Sequence, residues 1–591
     1  MPHFFIDGKK IETKQGKTVI EAAYENGLQI PHFCWHPELS VSGNCRMCLV
    51  EVGMPKRLPD GTPEIDDNGN PLVNYIPKLQ IACATPVSDG MYVNTKNEKV
   101  VEAQEAVMEF LLINHPLDCP ICDEAGECKL QDYAFRYSDG ESRFDETKNH
   151  KDKRQKWGPN VMFDAERCIS CSRCIRYSQE IAKQDVLTFV QRGDHVTIKL
   201  FDGTQLDNPY SMNVIEICPV GALTSPDFRF KARVWDMSFN DSISFADSTG
   251  SNIKLGVRNN EILRIEPRTN PYVNRHWLTD DARLNSYEFV NKNRIIQPLI
   301  KQGAEHVPSS WQEACQAVAD GLISFKPNEI MFLASAKATN EDNYAFMKLA
   351  RQVVKSPNID FLEHIDKSFN DEFFLAVADR APNTNGAIAV GIKSEESHIK
   401  AKELAESIKK GYIRALVVLE EDFKNHEHII ETLDNLEFLV VLHYNHNKIT
   451  QKAHVVLPAS TYAEIEGTYT NKDRRVQHLS PALVTKENLR FMGMKMSRLD
   501  KFGAFNDKWT QHELRDCKQS WRIIANISNL LGTDWKFKNS EDIFEEISIK
   551  IPLFANMSYD KIDEYQGLVL GKGNNPDPKL INYESHVFKP E

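Results

Sequence analysis

The stretch "RCISCSRCIRY" at residues 167–177 sets Cys168, Cys171 and Cys174 at C-x2-C-x2-C, and "CPVGALT" at 218–224 adds Cys218 followed by Pro219. Three thiols at that spacing wrap one corner of a cubane, and a distant Cys-Pro closes it. In two-cluster ferredoxins a cysteine four residues past the triplet serves the other cluster. Here that place is Ser178, and no second triplet exists. Cys168, Cys171, Cys174 and Cys218 therefore read as one [4Fe–4S] ligand set.

Of the 13 cysteines, 11 lie in the first 218 residues, and only Cys315 and Cys517 lie beyond. Without a secretory signal, clustered thiols mean metal rather than a disulfide framework. Upstream, "HFCWHPELSVSGNCRMCLVEV" at 32–52 holds Cys34, Cys45 and Cys48 at C-x10-C-x2-C, with Cys83 further on. Plant-type [2Fe–2S] ferredoxins use C-x4-C-x2-C and a distant Cys, so this is a lengthened version of that plan. Gly43 lets backbone N–H groups approach the sulfides. A structural zinc site is the competing reading. "HFFID" and "KTVI" read as a hairpin, and "TVIEAAYENGL" as a helix with Thr18 as N-cap and Gly27 at its end. That order is β-grasp. The segment 54–75, rich in Pro, Gly, Asp and Asn, reads as an inserted loop.

Between these groups lies "HPLDCPICDEAGEC" at 115–128, with His115, Cys119, Cys122 and Cys128 at H-x3-C-x2-C-x5-C. Three thiolates and an imidazole also make a common zinc site, so the spacing alone leaves zinc and [4Fe–4S] open. The other two groups each have four thiols and leave none spare in the first third of the chain, which makes His115 the economical fourth ligand. A helix over 100–111 is expected to turn Val100, Ala103, Val107, Phe110 and Leu111 to one face and to stop at His115, ahead of Pro116.

At 591 residues the chain is long enough for several domains. Its net charge of −13 argues against a nucleic-acid partner. No apolar run reaches the ~18–20 residues of a membrane span, and the first residues look like neither a signal nor a transit peptide. The expected setting is the bacterial cytoplasm. Beyond about 226, strands such as "EIMFLAS", "RALVVLE" and "LEFLVVL" alternate with helical stretches, an α/β pattern with parallel strands. No G-x-G-x-x-G and no P-loop occurs. Nothing indicates that this chain itself binds NADH, flavin or ATP.

The phrases "HFCWHPELSVSGNCRMCLVEV", "NHPLDCPICDEAGECKLQD", "FDAERCISCSRCIR" and "EICPVGALT", in this order, resemble one family, the large iron–sulfur subunits of NADH:quinone oxidoreductase (respiratory complex I). The resemblance is specific over the first ~225 residues. It implies [4Fe–4S] rather than zinc at His115, Cys119, Cys122 and Cys128. Stretches such as "EIEGTYTNKDRRVQ" are similar to the molybdopterin-oxidoreductase fold. The implied architecture is multidomain α+β and α/β. A β-grasp [2Fe–2S] domain spans 1–97, the one-His/three-Cys segment 98–138 and the [4Fe–4S] ferredoxin-like domain 139–225. A molybdopterin-oxidoreductase-type small domain lacking its cluster spans 226–285, and a shortened, degenerate α/β region 286–591. Counting out the extra cluster motif of many relatives lands on Ser244, Asp247, Ser251 and Thr279, so no additional [4Fe–4S] is expected. The molybdenum-ligand place falls near Asp366, with no thiol in reach, so no molybdopterin is expected.

The resemblance implies one [2Fe–2S] and two [4Fe–4S] centres relaying electrons towards quinone. It places FMN and NADH on a partner subunit, quinone-side iron–sulfur subunits beyond, and no catalytic side chain here. The location implied is peripheral, on the cytoplasmic side of the bacterial inner membrane, touching the membrane only through the complex. An NAD-linked molybdenum formate dehydrogenase subunit is the alternative. It is disfavoured by the missing cluster and thiol.

Overall fold

The computed structural model describes the chain apart from residues 68, 70, 139, 372–374, 489–514, 574 and 577–591. Two compact units divide between Asp236 and Met237.

In the first unit, Asp7 and Gly8 both take positive φ, 47° and 81°, as a two-residue hairpin turn requires. Strand β1 (His3–Ile6) therefore returns directly as β2 (Lys9–Glu12). The expected returning strand, "KTVI", is instead a helix start. Thr18 caps α1 (Val19–Glu25) in a reciprocal capping box with Glu21, which satisfies two backbone donors that a strand assignment leaves out of account. Strands β3 (Leu49–Pro55), β4 (Val73–Tyr75), β5 (Gln80–Ile81) and β6 (Tyr92–Asn94) complete the sheet in the order β2-β1-β6-β3-β4, with β5 on β3. β6 runs parallel to β1, the β-grasp arrangement. Phe4, Ile6, Ile20, Val50 and Val93 form its core together with Cys48 and Cys83. The 54–75 segment is only partly loop. Its two ends belong to β3 and β4, which pair across it, and positions 68 and 70 lie outside the described residues.

Asn97 caps α2 (Glu98–Leu112), which stops ahead of His115 as Pro116 requires. Its buried face is not the expected one. Val100, Gln104 and Met108 point inward, and Phe110 is 75% exposed. Gln104 is the reason: its amide donates to the Leu49 carbonyl, so a polar residue occupies the core face. The helix packs on β3 and on α3 (Lys129–Tyr137). Next come β7 (Gln155–Lys156), β8 (Met162–Phe163), α4 (Arg173–Arg176), β9 (Leu187–Val190), β10 (Thr197–Leu200), α5 (Asn213–Glu216) and β11 (Leu223–Thr224). The order β11-β8-β7 ties the Cys218 segment to the strand just ahead of Cys168.

The second unit opens with the meander β12 (Ser238–Ile243), β13 (Asn252–Arg258) and β14 (Glu261–Pro267). Its main sheet comprises β15 (Leu299–Gln302), β16 (Glu305–Pro308), β17 (Ile330–Ala334), β18 (Ile359–Phe361), β19 (Ala415–Leu419), β20 (Phe438–His443) and β21 (Val455–Pro458), in the order β16-β15-β21-β20-β19-β17-β18. The five from β21 to β18 run parallel. Every residue of β17 and β19 is buried, as a sheet covered on both faces demands. Ile330, Phe332 and Ala334 enter one core and Met331 and Leu333 the other. Burying each such large side chain contributes about 1.5–3 kcal/mol. No helix of the described residues is long and apolar enough to cross a membrane.

Candidate metal centres

The first cysteine group gathers around a loop that leaves β-grasp geometry at Gly43 (φ 64°) and Arg46 (φ 61°). Cys34 stands within hydrogen-bonding reach of the Cys45 and Cys83 thiols, and Cys48 within reach of Cys83. These bonds draw the Cys34 thiol well below its ordinary range. The same contacts push Cys45 and Cys83 far above it. Backbone N–H groups of Asn44 and Cys45 also face the Cys34 sulfur.

The third group forms around two left-handed non-glycine residues, Ser170 (φ 55°) and Ser172 (φ 63°), which turn the backbone between successive cysteines. Ser170 N–H lies 3.4 Å from Cys168 Sγ, and N–H groups of Arg173, Ile175 and Val220 face Cys171, Cys174 and Cys218. Cys174 and Cys218 both lie within electrostatic range of Cys168 and Cys171. Burial pushes the Cys168 thiol up to about 12 and raises the others. Ser178, where a second cluster's ligand would stand, is buried and donates to the Gln184 carbonyl.

The second group is assembled less tightly. Cys122 and Cys128 are electrostatic neighbours, and burial lifts Cys128 to about 12. Cys119 is exposed, on the short turn Cys119–Ile121. His115 follows α2. Burial first, then Lys148 and Arg167, lower its imidazole to about 4, so it is neutral at pH 7 with a lone pair to give. Its leading neighbours are these charges rather than the three thiols. Arg233 braces the turn by donating to the Pro120 and Cys122 carbonyls. Gly221 covers it: a Cβ there would stand 2.2 Å from Cys122 Sγ.

Among the described residues no three His, Cys, Asp or Glu side chains converge as a single-ion site. An iron–sulfur core carries its own sulfide between the irons and spreads its thiolates more widely. Neighbouring thiols, largely buried surroundings and N–H groups aimed at sulfur suit such a core. The third group lies between the other two. Gly221, three residues after Cys218, lies against Cys122 so closely that a Cβ would overlap its sulfur, and Arg167 beside Cys168 pairs with Asp118 beside Cys119 at 2.9 Å. Cys171 lies within electrostatic range of Cys34.

Sequence reasoning singled out the cysteines and missed the arginines among them. Arg167, Arg173 and Arg176 were legible only as positive charges in a cysteine-rich loop. It also missed a buried carboxylate cluster in the second unit. Burial pushes Glu341 up to about 7, Asp342 to about 6 and Glu420 to about 8. Lys337 pairs with Asp422 at 3.5 Å, and His364 with Glu421 at 2.8 Å. Cys315 and Cys517 are buried, and burial raises their thiols to about 11 and about 12.

The positions counted for an extra cluster serve the backbone. Ser244 N–H donates to the Ser251 carbonyl, Asp247 accepts from Thr249 N–H, and Thr279 caps the helix Asp280–Leu284. Asp366 caps the turn Lys367–Phe369.

Five family models match successive parts of the chain. A "2Fe-2S iron-sulfur cluster binding domain" matches 2–98, and an "NADH-ubiquinone oxidoreductase-G iron-sulfur binding region" matches 104–143. "NADH-quinone oxidoreductase subunit 3, ferredoxin-like domain" matches 158–224. "NADH-ubiquinone oxidoreductase NDSU1/NuoG-like, 4Fe-4S domain" matches 238–287, which holds no cysteine, and "Molybdopterin oxidoreductase" matches 371–490. The G-type subunit of NADH-quinone oxidoreductase from Rickettsia conorii is 42% identical over 349 residues, 59% of this chain and 48% of that protein. Subunit 3 of the Thermus thermophilus enzyme is 38% identical over 369 residues, 60% of this chain and 47% of its own length. The 78 kDa mitochondrial subunit of NADH-ubiquinone oxidoreductase from Neurospora crassa is 38% identical over 351 residues, 59% of this chain and 44% of its own. The chain thus spans about half the length of these relatives.

Proposed function

We propose that this chain, a relative of the G-type subunits of NADH-quinone oxidoreductase, is an electron-transfer subunit of respiratory complex I. The observation that carries the reading is the succession of three sulfur-ligand groups in one unit, the third neighbouring both others. Cys34, Cys45, Cys48 and Cys83 would hold a [2Fe–2S] centre. His115, Cys119, Cys122 and Cys128 would hold one [4Fe–4S] centre, and Cys168, Cys171, Cys174 and Cys218 another. When bound, such centres supply one-electron storage at potentials set by ligands, hydrogen bonds and burial.

The protein's own residues do three things. Apart from the exposed Cys119, the ligand thiols are buried or half-buried, and their surroundings limit access of water. Backbone N–H groups stabilise thiolate charge. Neutral His115 removes one negative charge from the second ligand set relative to four cysteines. No acid–base residue is needed, because an electron moves without a proton. We place the domain boundaries at 97, 138, 225 and 285. Neither an additional cluster at 238–287 nor molybdopterin belongs to this reading, since the one stretch lacks cysteine and Asp366 is engaged as a cap.

NADH would be oxidised at FMN in a partner subunit, and electrons would leave through quinone-side iron–sulfur subunits on the cytoplasmic side of the bacterial inner membrane. Phe110, Leu117, Ile121 and Phe135 are exposed around the second ligand set and support contact with such a neighbour. The test is reduction by NADH, followed by EPR. Iron–sulfur signals of this chain are expected with NADH in the assembled complex and not with NADH and the isolated chain. Reduction of the isolated chain would contradict the reading, because it needs a nucleotide site in this chain.

A further inference from the structure

Two buried arginines stand between the first and third ligand groups. Arg173 is 3% exposed and Arg176 8%. Arg173 donates to the Ile217 carbonyl at 3.0 Å, one residue before Cys218, and to the Trp35 carbonyl, one residue after Cys34. Arg176 donates to the Cys34 carbonyl at 2.5 Å and the Cys171 carbonyl at 3.5 Å through one nitrogen, and to the Ser40 carbonyl through another. Its Nε reaches Ser172 Oγ at 3.2 Å, and that hydroxyl bonds Ser42 of the opposite loop at 3.1 Å. Each guanidinium therefore grips a ligand loop of both groups.

All of these acceptors are neutral. Among the described residues neither arginine pairs with a carboxylate, and Arg173 Nε has no acceptor at all. Two adjacent buried cations without a carboxylate partner are destabilising. The groups placed to offset the Arg173 charge, once they ligate as thiolates, are Cys171, Cys45 and Cys34, from both ligand sets. A neutral clamp would join the loops equally well, so the charge itself needs an anionic partner on each side.

We propose that Arg173 and Arg176 form a cationic junction that holds the two ligand loops together and raises the reduction potentials of both centres jointly. The proposal rests on the ligand reading above. Arginine stays protonated throughout, so one electron leaving one centre and entering the other moves between two sites biased by the same fixed charges. As positioning residues they act through the centres they neighbour.

The experiment is an EPR-monitored redox titration of the full chain, purified anaerobically with its centres. Arg176→Gln is expected to lower the reduced-to-oxidised ratio of both centres about tenfold at fixed potential, or about 59 mV for one electron. Ser42→Ala, which breaks a neutral loop contact, should leave both potentials in place. If Arg176→Gln shifts neither potential, or only one, the proposal is overturned. If that variant fails to load its centres, Arg176→Lys decides. It keeps the charge, so a shift under about threefold in that ratio supports the junction, and a larger one overturns it in favour of a clamp that acts by shape. Wild-type protein lacking either signal would overturn the ligand reading itself, and the junction with it.

Discussion

Single residues decide how the ligand groups close. Gly221 leaves room for Cys122, and an added Cβ would overlap its sulfur. Gly221→Ala is therefore expected to remove about four irons per chain, one [4Fe–4S] core, while the [2Fe–2S] signal persists. Iron analysis with EPR checks this, and unchanged iron would show that the Cys218 segment does not cover the second group. His115 was reached by counting thiols, a purely sequence-level argument. Gly221 could not be, because its role lies in a neighbour 99 residues away. The buried acids of the second unit were equally invisible, since nothing local marks a glutamate for burial. Glu420 titrates near 8 because of burial first and then Asp342. Its folded pKa is raised, so its contribution to stability is present in full below about pH 4.3 and is lost as pH rises through about 8. Glu420→Gln should accordingly stabilise the protein at pH 9, by on the order of 1 kcal/mol or more, and have little effect at pH 5. Thermal unfolding at the two pH values would show it.

At the scale of elements, local chemistry was legible where it stood alone. The Pro116 stop after α2 and the unbroken apolar strands each have one physical meaning, and the fold uses it. Errors came where two local signals competed. "KTVI" is rich in β-branched residues, yet Thr18 with Glu21 three residues on is a capping box, and Asp7-Gly8 was the stronger turn. In α2 the apolar period pointed to Phe110, whereas Gln104 takes a core position by bonding Leu49. The capping box has a measurable share. Thr18→Ala should destabilise the first unit by about 1 kcal/mol and lower its thermal midpoint by a few degrees, read by circular dichroism. Indifference would mean that the β-grasp core alone holds α1 in place.

At the scale of the molecule, a thiol-rich unit carries the proposed chemistry, and a second unit keeps the α/β sheet while its counted ligand positions bond the backbone. The division follows from where cysteines fall: 11 before residue 219 and none in 238–287. The most direct test of the central claim is iron, acid-labile sulfide and zinc analysis of the anaerobically purified chain, with pterin assayed alongside. The account predicts about ten irons and matching sulfide per chain, with no zinc and no pterin. Stoichiometric zinc, or bound molybdopterin, would contradict it.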